Sequence, residues 1–196
     1  MSLKISKSDK KFMDLAISLA EDRVGLTGSN PSVGCVIVNK SQIISVGQTG
    51  IGGTPHAETV AIKSAKKEDL RGSSMYVTLE PCNHYGRTPP CTNNIIKNKI
   101  SEVYYSIDDI DVKVKGKSYS ILKKNNINVK KGLLKRESLN LYESYYLNRK
   151  KKLPYVIGKI ALSKNKIIYS DVSKKITNEI SDKLTHYLRL KCDGIM

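Results

Sequence analysis

Apolar and polar positions alternate along the first 150 residues in a pattern that predicts helices and strands in turn. Apolar residues recur at helical spacing over 8–21, where Ser8 or Asp9 would cap the helix. Two short apolar segments flank a polar turn at 39–42 and predict a hairpin. The next predicted elements are a helix over 56–67, a strand over 74–80, a loop over 81–91 and a short helix over 92–100. This alternation predicts an α/β fold with a largely parallel sheet.

The same pattern continues to residue 150 and then changes. The later elements are a strand over 102–107, a helix over 119–127, a strand over 128–133 and a helix over 134–151. A charged run ending at Pro154 predicts a domain boundary, followed by a strand, a helix and the first residues of another strand. We expect one domain over 1–150 and only the incomplete N-terminal part of a second over 151–196.

Composition and charge narrow the functional classes. A hydrophobic content of 39% fits a globular protein, and the apolar runs are too short to cross a bilayer. Charged residues interrupt the N-terminal segment, so we expect no signal peptide, no membrane partner and a cytoplasmic location. The net charge of +16 suggests a nucleic-acid partner, but only six of the 34 basic residues are arginine and the lysines are scattered. We attribute the charge to lysine-rich composition and expect no nucleic-acid partner.

Three residues have the chemistry and spacing of a zinc site. His56, Cys82 and Cys91 are ligand types that Zn²⁺ prefers, and three protein ligands leave a fourth tetrahedral position open, as in catalytic sites. Glu58 lies two residues after the histidine and is not needed as a ligand. A carboxylate beside the metal takes a proton from water and returns it to a leaving amine. The pattern His-x-Glu followed by Pro-Cys and a second Cys is the signature of zinc deaminases.

Two other functions remain open at this point. A non-catalytic module stabilised by zinc would need the three ligands but not Glu58. A nucleic-acid deaminase acting on transfer-RNA adenosine or cytidine would suit the positive charge, but it predicts two residues between the cysteines, whereas here eight separate them.

The longer cysteine loop, "PCNHYGRTPPC" (81–91), resembles that of the bifunctional riboflavin-biosynthesis deaminase–reductases. Further similar segments are "NPSVGCVIV" (30–38), "YVTLEPC" (76–82), "PYVIGKIALS" (154–163) and "THYLRLKCDGIM" (185–196). The resemblance implies a three-layer α/β/α, cytidine-deaminase-like domain with a mixed sheet. It also implies that a dihydrofolate-reductase-like α/β domain begins after it.

The resemblance also implies a reaction and a set of substrate contacts. The substrate would be 2,5-diamino-6-(5-phosphoribosylamino)pyrimidin-4(3H)-one, which zinc-dependent hydrolysis converts to 5-amino-6-(5-phosphoribosylamino)uracil and ammonia. Asn30 falls where the family binds the pyrimidine, and His84, Arg87 and Thr88 fall where its loop meets the substrate. Such folds often pair through sheet edges or helices, so we expect a homo-oligomer.

Several positions depart from the family pattern. Thr49 replaces a family histidine, and residues 109–112 keep an aspartate but lack two prolines. In the second domain, alignment places Ala161 and Lys175 at NADP-contacting positions. It places Ser173 and Arg189 at substrate-contacting positions of the reductase. We expect no reductase activity from these 196 residues, and NADPH as a cofactor only if a complete reductase domain is present.

Overall fold

A computed structural model describes residues 5–112, 114–168 and 176–196. The strands are β1 (Gly34–Asn39), β2 (Gln42–Gln48), β3 (Ser74–Leu79), β4 (Glu102–Ile107) and β5 (Asn128–Lys131). The helices are α1 (Lys7–Glu21), α2 (Ala57–Ser64), α3 (Lys67–Leu70), α4 (Cys91–Lys97), α5 (Lys117–Lys124), α6 (Lys135–Leu141), α7 (Glu143–Lys151) and α8 (Glu179–Leu190). None of the helices in these ranges has the length and hydrophobicity that a bilayer crossing requires.

The five strands form one mixed sheet in the order β2-β1-β3-β4-β5. β1 pairs antiparallel with both β2 and β3, whereas β3, β4 and β5 are parallel to one another. The expectation of a largely parallel sheet is therefore wrong for β1, which forms the predicted hairpin with β2 and also pairs antiparallel with β3. The mixed sheet that the family resemblance implies is confirmed.

Both faces of the central strands are buried, which gives a three-layer α/β/α arrangement. Val36, Tyr76 and Tyr104 pack on one face with apolar residues of α1. Their neighbours along the strands, among them Cys35 and Val77, pack on the other face in a core that includes residues of α2, α4 and α5. Successive strand residues point to opposite faces, so burial on both explains why these strands are continuous apolar runs.

One buried carboxylate attaches α1 to the sheet. The N-cap is Ser6 rather than the predicted Ser8 or Asp9, and Asp9 completes a capping box with it. One carboxylate oxygen of Asp9 accepts the Ser6 backbone N–H at 2.8 Å. The other accepts the hydroxyl of Tyr76, on β3, at 2.6 Å. The same residue therefore begins the helix and fixes it to the sheet.

Two predicted helices are shorter than expected. The helix predicted over 56–67 ends at Ser64, because Ala65 has extended backbone angles, and α3 is a separate turn. The helix predicted over 134–151 is divided at Tyr142, which has non-helical backbone angles. The Tyr142 side chain is buried, and its hydroxyl lies 2.6 Å from that of Thr78 on β3. Tyr142 is therefore fixed in the core at the residue that divides the two helices.

The two strands predicted after residue 154 are not formed. Residues 155–163 and 192–196 have no regular structure, whereas the helix predicted between them is present as α8. A strand is stable only when a neighbour completes its hydrogen bonds, and no strand among the described residues pairs with either segment. The division into domains 1–150 and 151–196 stays a prediction.

The first testable prediction concerns the attachment of α1. Burial raises the pKa of Asp9, but hydrogen bonds from Tyr76 and Ser6 outweigh it, so the pKa lies below its usual 3.8. An Asn side chain has only one oxygen for the two bonds, so we expect Asp9→Asn to reduce the free energy of unfolding by about 1–2 kcal/mol at neutral pH. Urea denaturation followed by circular dichroism measures this loss.

The sign of the pH dependence follows from the lowered pKa. The carboxylate contributes stability above pH 3.8 and loses it as pH falls through the lower folded-state pKa. The difference between wild type and Asp9→Asn should therefore shrink in acid. Asp14→Asn removes the same charge from an exposed position on α1 and is the matched control. Equal losses in both variants would contradict the assigned role of Asp9.

Candidate active site

A close contact between α2 and the hairpin determines the position of His56. His56 is the residue directly before α2. A Cβ atom on Gly47, in β2, would lie 2.2 Å from the Ala57 carbonyl oxygen, so only glycine allows the start of this helix to lie so close to the strand. The Gly50 N–H donates to the Pro55 carbonyl at 2.9 Å and closes the loop that leads to the histidine.

The 81–91 loop brings the two cysteines together. Cys82 follows β3 by three residues, and Cys91 is the first residue of α4. The Thr92 N–H donates to the Cys82 carbonyl at 3.1 Å, and the Cys91 N–H donates to the Cys82 sulfur at 3.3 Å. The eight-residue segment between the cysteines therefore closes on itself and brings the two cysteines together.

The three predicted ligand residues converge. The ligand atoms of His56, Cys82 and Cys91 all lie within 4.8 Å of one another. The His56 Nδ1 atom is 3.5 Å from the Cys82 sulfur and 3.4 Å from the Cys91 sulfur. A tetrahedral Zn²⁺ with ordinary Zn–S and Zn–N bond lengths sets neighbouring S and N ligands about 3.5 Å apart. The donor set and its spacing therefore fit zinc with one position left open.

Without a cation, the neighbouring groups of the site oppose its full negative charge. Hydrogen bonds from the Cys91 thiol and the His56 ring lower the pKa of Cys82, although burial opposes this. The hydrogen bond to Cys82, burial and the nearby Glu58 raise the pKa of Cys91. Two thiolates and a carboxylate repel one another in a buried site, and a divalent cation removes that repulsion.

Glu58 is the buried carboxylate beside this cluster. It lies in the first turn of α2 with 4% of its surface exposed. Burial and the neighbouring Cys82 raise its pKa to about 7, while His56 opposes the rise. A buried carboxyl group beside the predicted metal ligands can accept a proton and donate it again, as general acid–base catalysis requires.

A cavity of about 290 Å³ opens onto the cluster. His56, Glu58 and Cys82 line it, as do all four residues predicted to contact substrate in the deaminase domain: Asn30, His84, Arg87 and Thr88. The Asn30 amide donates to the Gly53 carbonyl at 2.9 Å, which fixes its orientation. The His84 Nδ1 atom is buried and has no partner among the described residues. The structure thus places the four side chains around one cavity, and their contacts with substrate stay predictions.

Thr49 and the 109–112 segment, which depart from the family pattern, also border the cavity, the segment through Asp109 and Asp111. The buried Thr49 hydroxyl accepts the Val33 N–H at 2.9 Å and so joins the loop after β2 to the start of β1. The 109–118 segment is held by Glu80, whose carboxylate accepts the backbone N–H groups of Asp109, Gly116 and Ser118 at 3.0–3.3 Å. One side chain therefore fixes the backbone at Asp109, the first residue of the segment that lacks the two prolines.

Sequence reasoning missed two cavity residues on α7, Tyr145 and Arg149. The Tyr145 hydroxyl donates to Asp109 at 3.2 Å, and the Arg149 guanidinium lies 5.4 Å from the centre of the Tyr145 ring. Their spacing of four residues placed them on one helix face, but no motif linked that face to the zinc pattern. Glu80 was missed as well, although it directly precedes the Pro-Cys pair.

Only two of the four residues predicted for a reductase, Ala161 and Arg189, lie among the described residues. Neither of them lines the cavity. Ser173 and Lys175 lie outside the described residues. Their assignments to NADP and to a reductase substrate stay predictions.

Comparisons with known proteins agree with this site. The family model described as "Cytidine and deoxycytidylate deaminase zinc-binding region" matches residues 6–107. The riboflavin biosynthesis protein RibD of Aquifex aeolicus is 37% identical over 194 residues, which cover 98% of this chain and 54% of that protein. A diaminohydroxyphosphoribosylamino-pyrimidine deaminase of Buchnera aphidicola is 40% identical over 146 residues, which cover 74% of this chain and 99% of that protein.

A solved structure of a related protein has the same fold. The diaminohydroxyphosphoribosylaminopyrimidine deaminase/5-amino-6-(5-phosphoribosylamino)uracil reductase of Thermotoga maritima superposes with a TM-score of 0.82 at 37% identity, covering 91% of this chain and 52% of that one. This chain spans about half the length of most riboflavin biosynthesis proteins that it matches. The chain belongs to the cytidine and deoxycytidylate deaminase zinc-binding family and, within it, to the diaminohydroxyphosphoribosylaminopyrimidine deaminases.

Proposed function

We propose that this chain is a zinc-dependent hydrolase that deaminates 2,5-diamino-6-(5-phosphoribosylamino)pyrimidin-4(3H)-one. The observation that carries this proposal is the convergence of His56, Cys82 and Cys91 beside the buried Glu58 at one cavity. The Buchnera aphidicola relative, which this chain covers almost completely, is named for a deaminase of this class. The products would be 5-amino-6-(5-phosphoribosylamino)uracil and ammonia.

The residues have separate tasks in this reaction. His56, Cys82 and Cys91 would hold the zinc ion, which when bound supplies the Lewis acidity that activates water near neutral pH. A C–O bond forms at ring carbon 2 as water adds, and the C–N bond to the amino group breaks. A carboxylate oxygen of Glu58 takes the proton that water releases and passes it to the departing nitrogen, so that ammonia leaves as a neutral molecule.

The cavity wall would orient the ring for this transfer. Asn30 is fixed by its bond to Gly53, and its remaining polar atoms match the ring's donors and acceptors. His84 offers an unpaired Nδ1 atom, and Arg87 carries a guanidinium suited to phosphate. A substrate held at both ends keeps carbon 2 next to Glu58, and such positioning supplies a large part of the rate enhancement.

The proposed ligand set predicts which cysteine substitutions lower the zinc content of the protein. We expect about one zinc ion per chain in the wild type, and far less in Cys91→Ser, because the hydroxyl oxygen replaces a thiolate ligand. Elemental analysis of the purified protein by mass spectrometry measures the ratio. Cys192→Ser is the matched control, since Cys192 is exposed and lies outside the cluster. Equal zinc content in the two variants would contradict the proposed ligand set.

The role of Glu58 predicts a loss of turnover without a loss of metal. Glu58→Gln keeps the size of the side chain but cannot carry the proton, so kcat should fall by about 100-fold or more while zinc content is unchanged. Glu68→Gln, at an exposed position on α3, is the control. Full activity of Glu58→Gln would contradict the catalytic assignment. A wild-type chain that binds zinc but deaminates nothing would instead be a zinc-stabilised module.

The proposed substrate is tested by comparing the activity of the protein on two candidate substrates. Ammonia release is compared with the phosphoribosyl pyrimidine and with an RNA hairpin that contains adenosine and cytidine. Activity on the pyrimidine alone supports the proposal, and activity on the hairpin alone would replace it with a nucleic-acid deaminase. The cytoplasmic location, the homo-oligomeric state and the dependence of any reductase activity on a complete second domain and NADPH stay predictions.

A further inference from the structure

Arg149 is a cavity residue that the reaction described above leaves without a task. It lies in the last turn of α7, outside the deaminase motifs, and is half-buried. Its guanidinium is placed by two contacts, a hydrogen bond of 3.4 Å to the Ser29 carbonyl and the face of the Tyr145 ring at 5.4 Å. Tyr145 is held in turn by its hydrogen bond to Asp109. The guanidinium is therefore oriented at the cavity wall.

The oriented guanidinium of Arg149 has N–H donors that the described residues do not use. The Arg149 Nε atom is buried and has no hydrogen-bond partner in the part of the chain that the structure describes. Among the residues that the structure describes, the ion pairs are Lys130 with Glu102 and Lys131 with Asp108, so no carboxylate there neutralises Arg149. A buried donor on a charged group is costly to leave unpaired, which points to a partner that arrives with a ligand.

The chemistry of the cavity indicates what that partner is. A guanidinium presents donors in a planar fork that matches phosphate oxygens, and the cavity has a second guanidinium, that of Arg87. Four carboxyl groups line the same space: Glu58, Glu80, Asp109 and Asp111. A phosphate dianion would be repelled by these groups unless cations faced it, and two arginines supply them.

We propose that Arg149 binds the phosphate of the substrate and makes the cavity selective for the phosphorylated form of the pyrimidine. This inference rests on the proposed function and adds a phosphate ligand outside the 81–91 loop. Tyr145 and Ser29 act as positioning residues, because they orient the guanidinium through its stacked face and one N–H group. Removing the guanidinium weakens binding of the phosphate without changing the groups that move protons.

The experiment compares zinc-loaded Arg149→Met and Arg149→Lys with Arg136→Met, which removes an exposed arginine from α6 that does not line the cavity. Each is assayed with the phosphoribosyl substrate and with its dephosphorylated form. We expect the KM of Arg149→Met for the phosphorylated substrate to rise about 10- to 100-fold. Its kcat should stay within about twofold, and its KM for the dephosphorylated form should not change. Arg149→Lys, which keeps the charge but loses the fork, should lie between, and Arg136→Met should match the wild type.

Calorimetric titration with ribose 5-phosphate and with ribose provides a readout that does not depend on turnover. Tighter binding of ribose 5-phosphate than of ribose, lost in Arg149→Met and kept in Arg136→Met, supports the inference even if the wild type deaminates nothing and the proposed function fails. If the wild type is active but Arg149→Met has an unchanged KM, or raises the KM of both substrate forms equally, the inference is overturned. Should Arg149→Met not fold, Arg149→Lys decides by the same comparison.

Discussion

The structure depends on placing two thiolates, an imidazole and a carboxylate in one buried site. These groups repel or compete with one another when no cation joins them, as the raised pKa values of Cys91 and Glu58 indicate. Coordination of a divalent ion reverses the sign of these interactions. The close glycine contact between α2 and the hairpin positions the imidazole. The closed 81–91 loop positions the two sulfurs next to it.

The mixed sheet provides a rigid support for this site. Because β1, β3 and β4 are buried on both faces, their ends are held by packing in two layers. The loops that carry Cys82 and Asp109 follow directly from β3 and β4. A displacement of a donor by even a fraction of an ångström would weaken the metal site, so the rigidity of these strands has a direct chemical consequence.

How much could be predicted from the sequence depended on whether the responsible interactions are local or distant. The His-x-Glu pair and the spaced cysteines carry their chemistry in residue type and order, so the metal cluster could be located before any coordinates. The polar turn at 39–42 predicted the antiparallel hairpin, but the direction of β1 relative to β3 could not be read from the apolar pattern, since parallel and antiparallel strands buried on both faces look alike. The helix predicted over 134–151 is divided at Tyr142, whose hydroxyl bonds to that of Thr78, 64 residues earlier. The cavity role of Arg149 likewise depends on the position of α7, which no motif encodes.

The hydrogen bonds from Glu80 to the backbone at Asp109, Gly116 and Ser118 make the position of this backbone independent of the side chains around it. Because the carboxylate binds backbone N–H groups, it places no demand on which side chains the loop carries. Side chains at the rim of the cavity can therefore vary in sequence while the backbone that Glu80 holds stays in place. Evolution, or a protein engineer, can change exposed positions of this segment, such as Val112, without losing these bonds, whereas Gly116, with a φ of 72°, and Asp109, which holds Tyr145, must be kept.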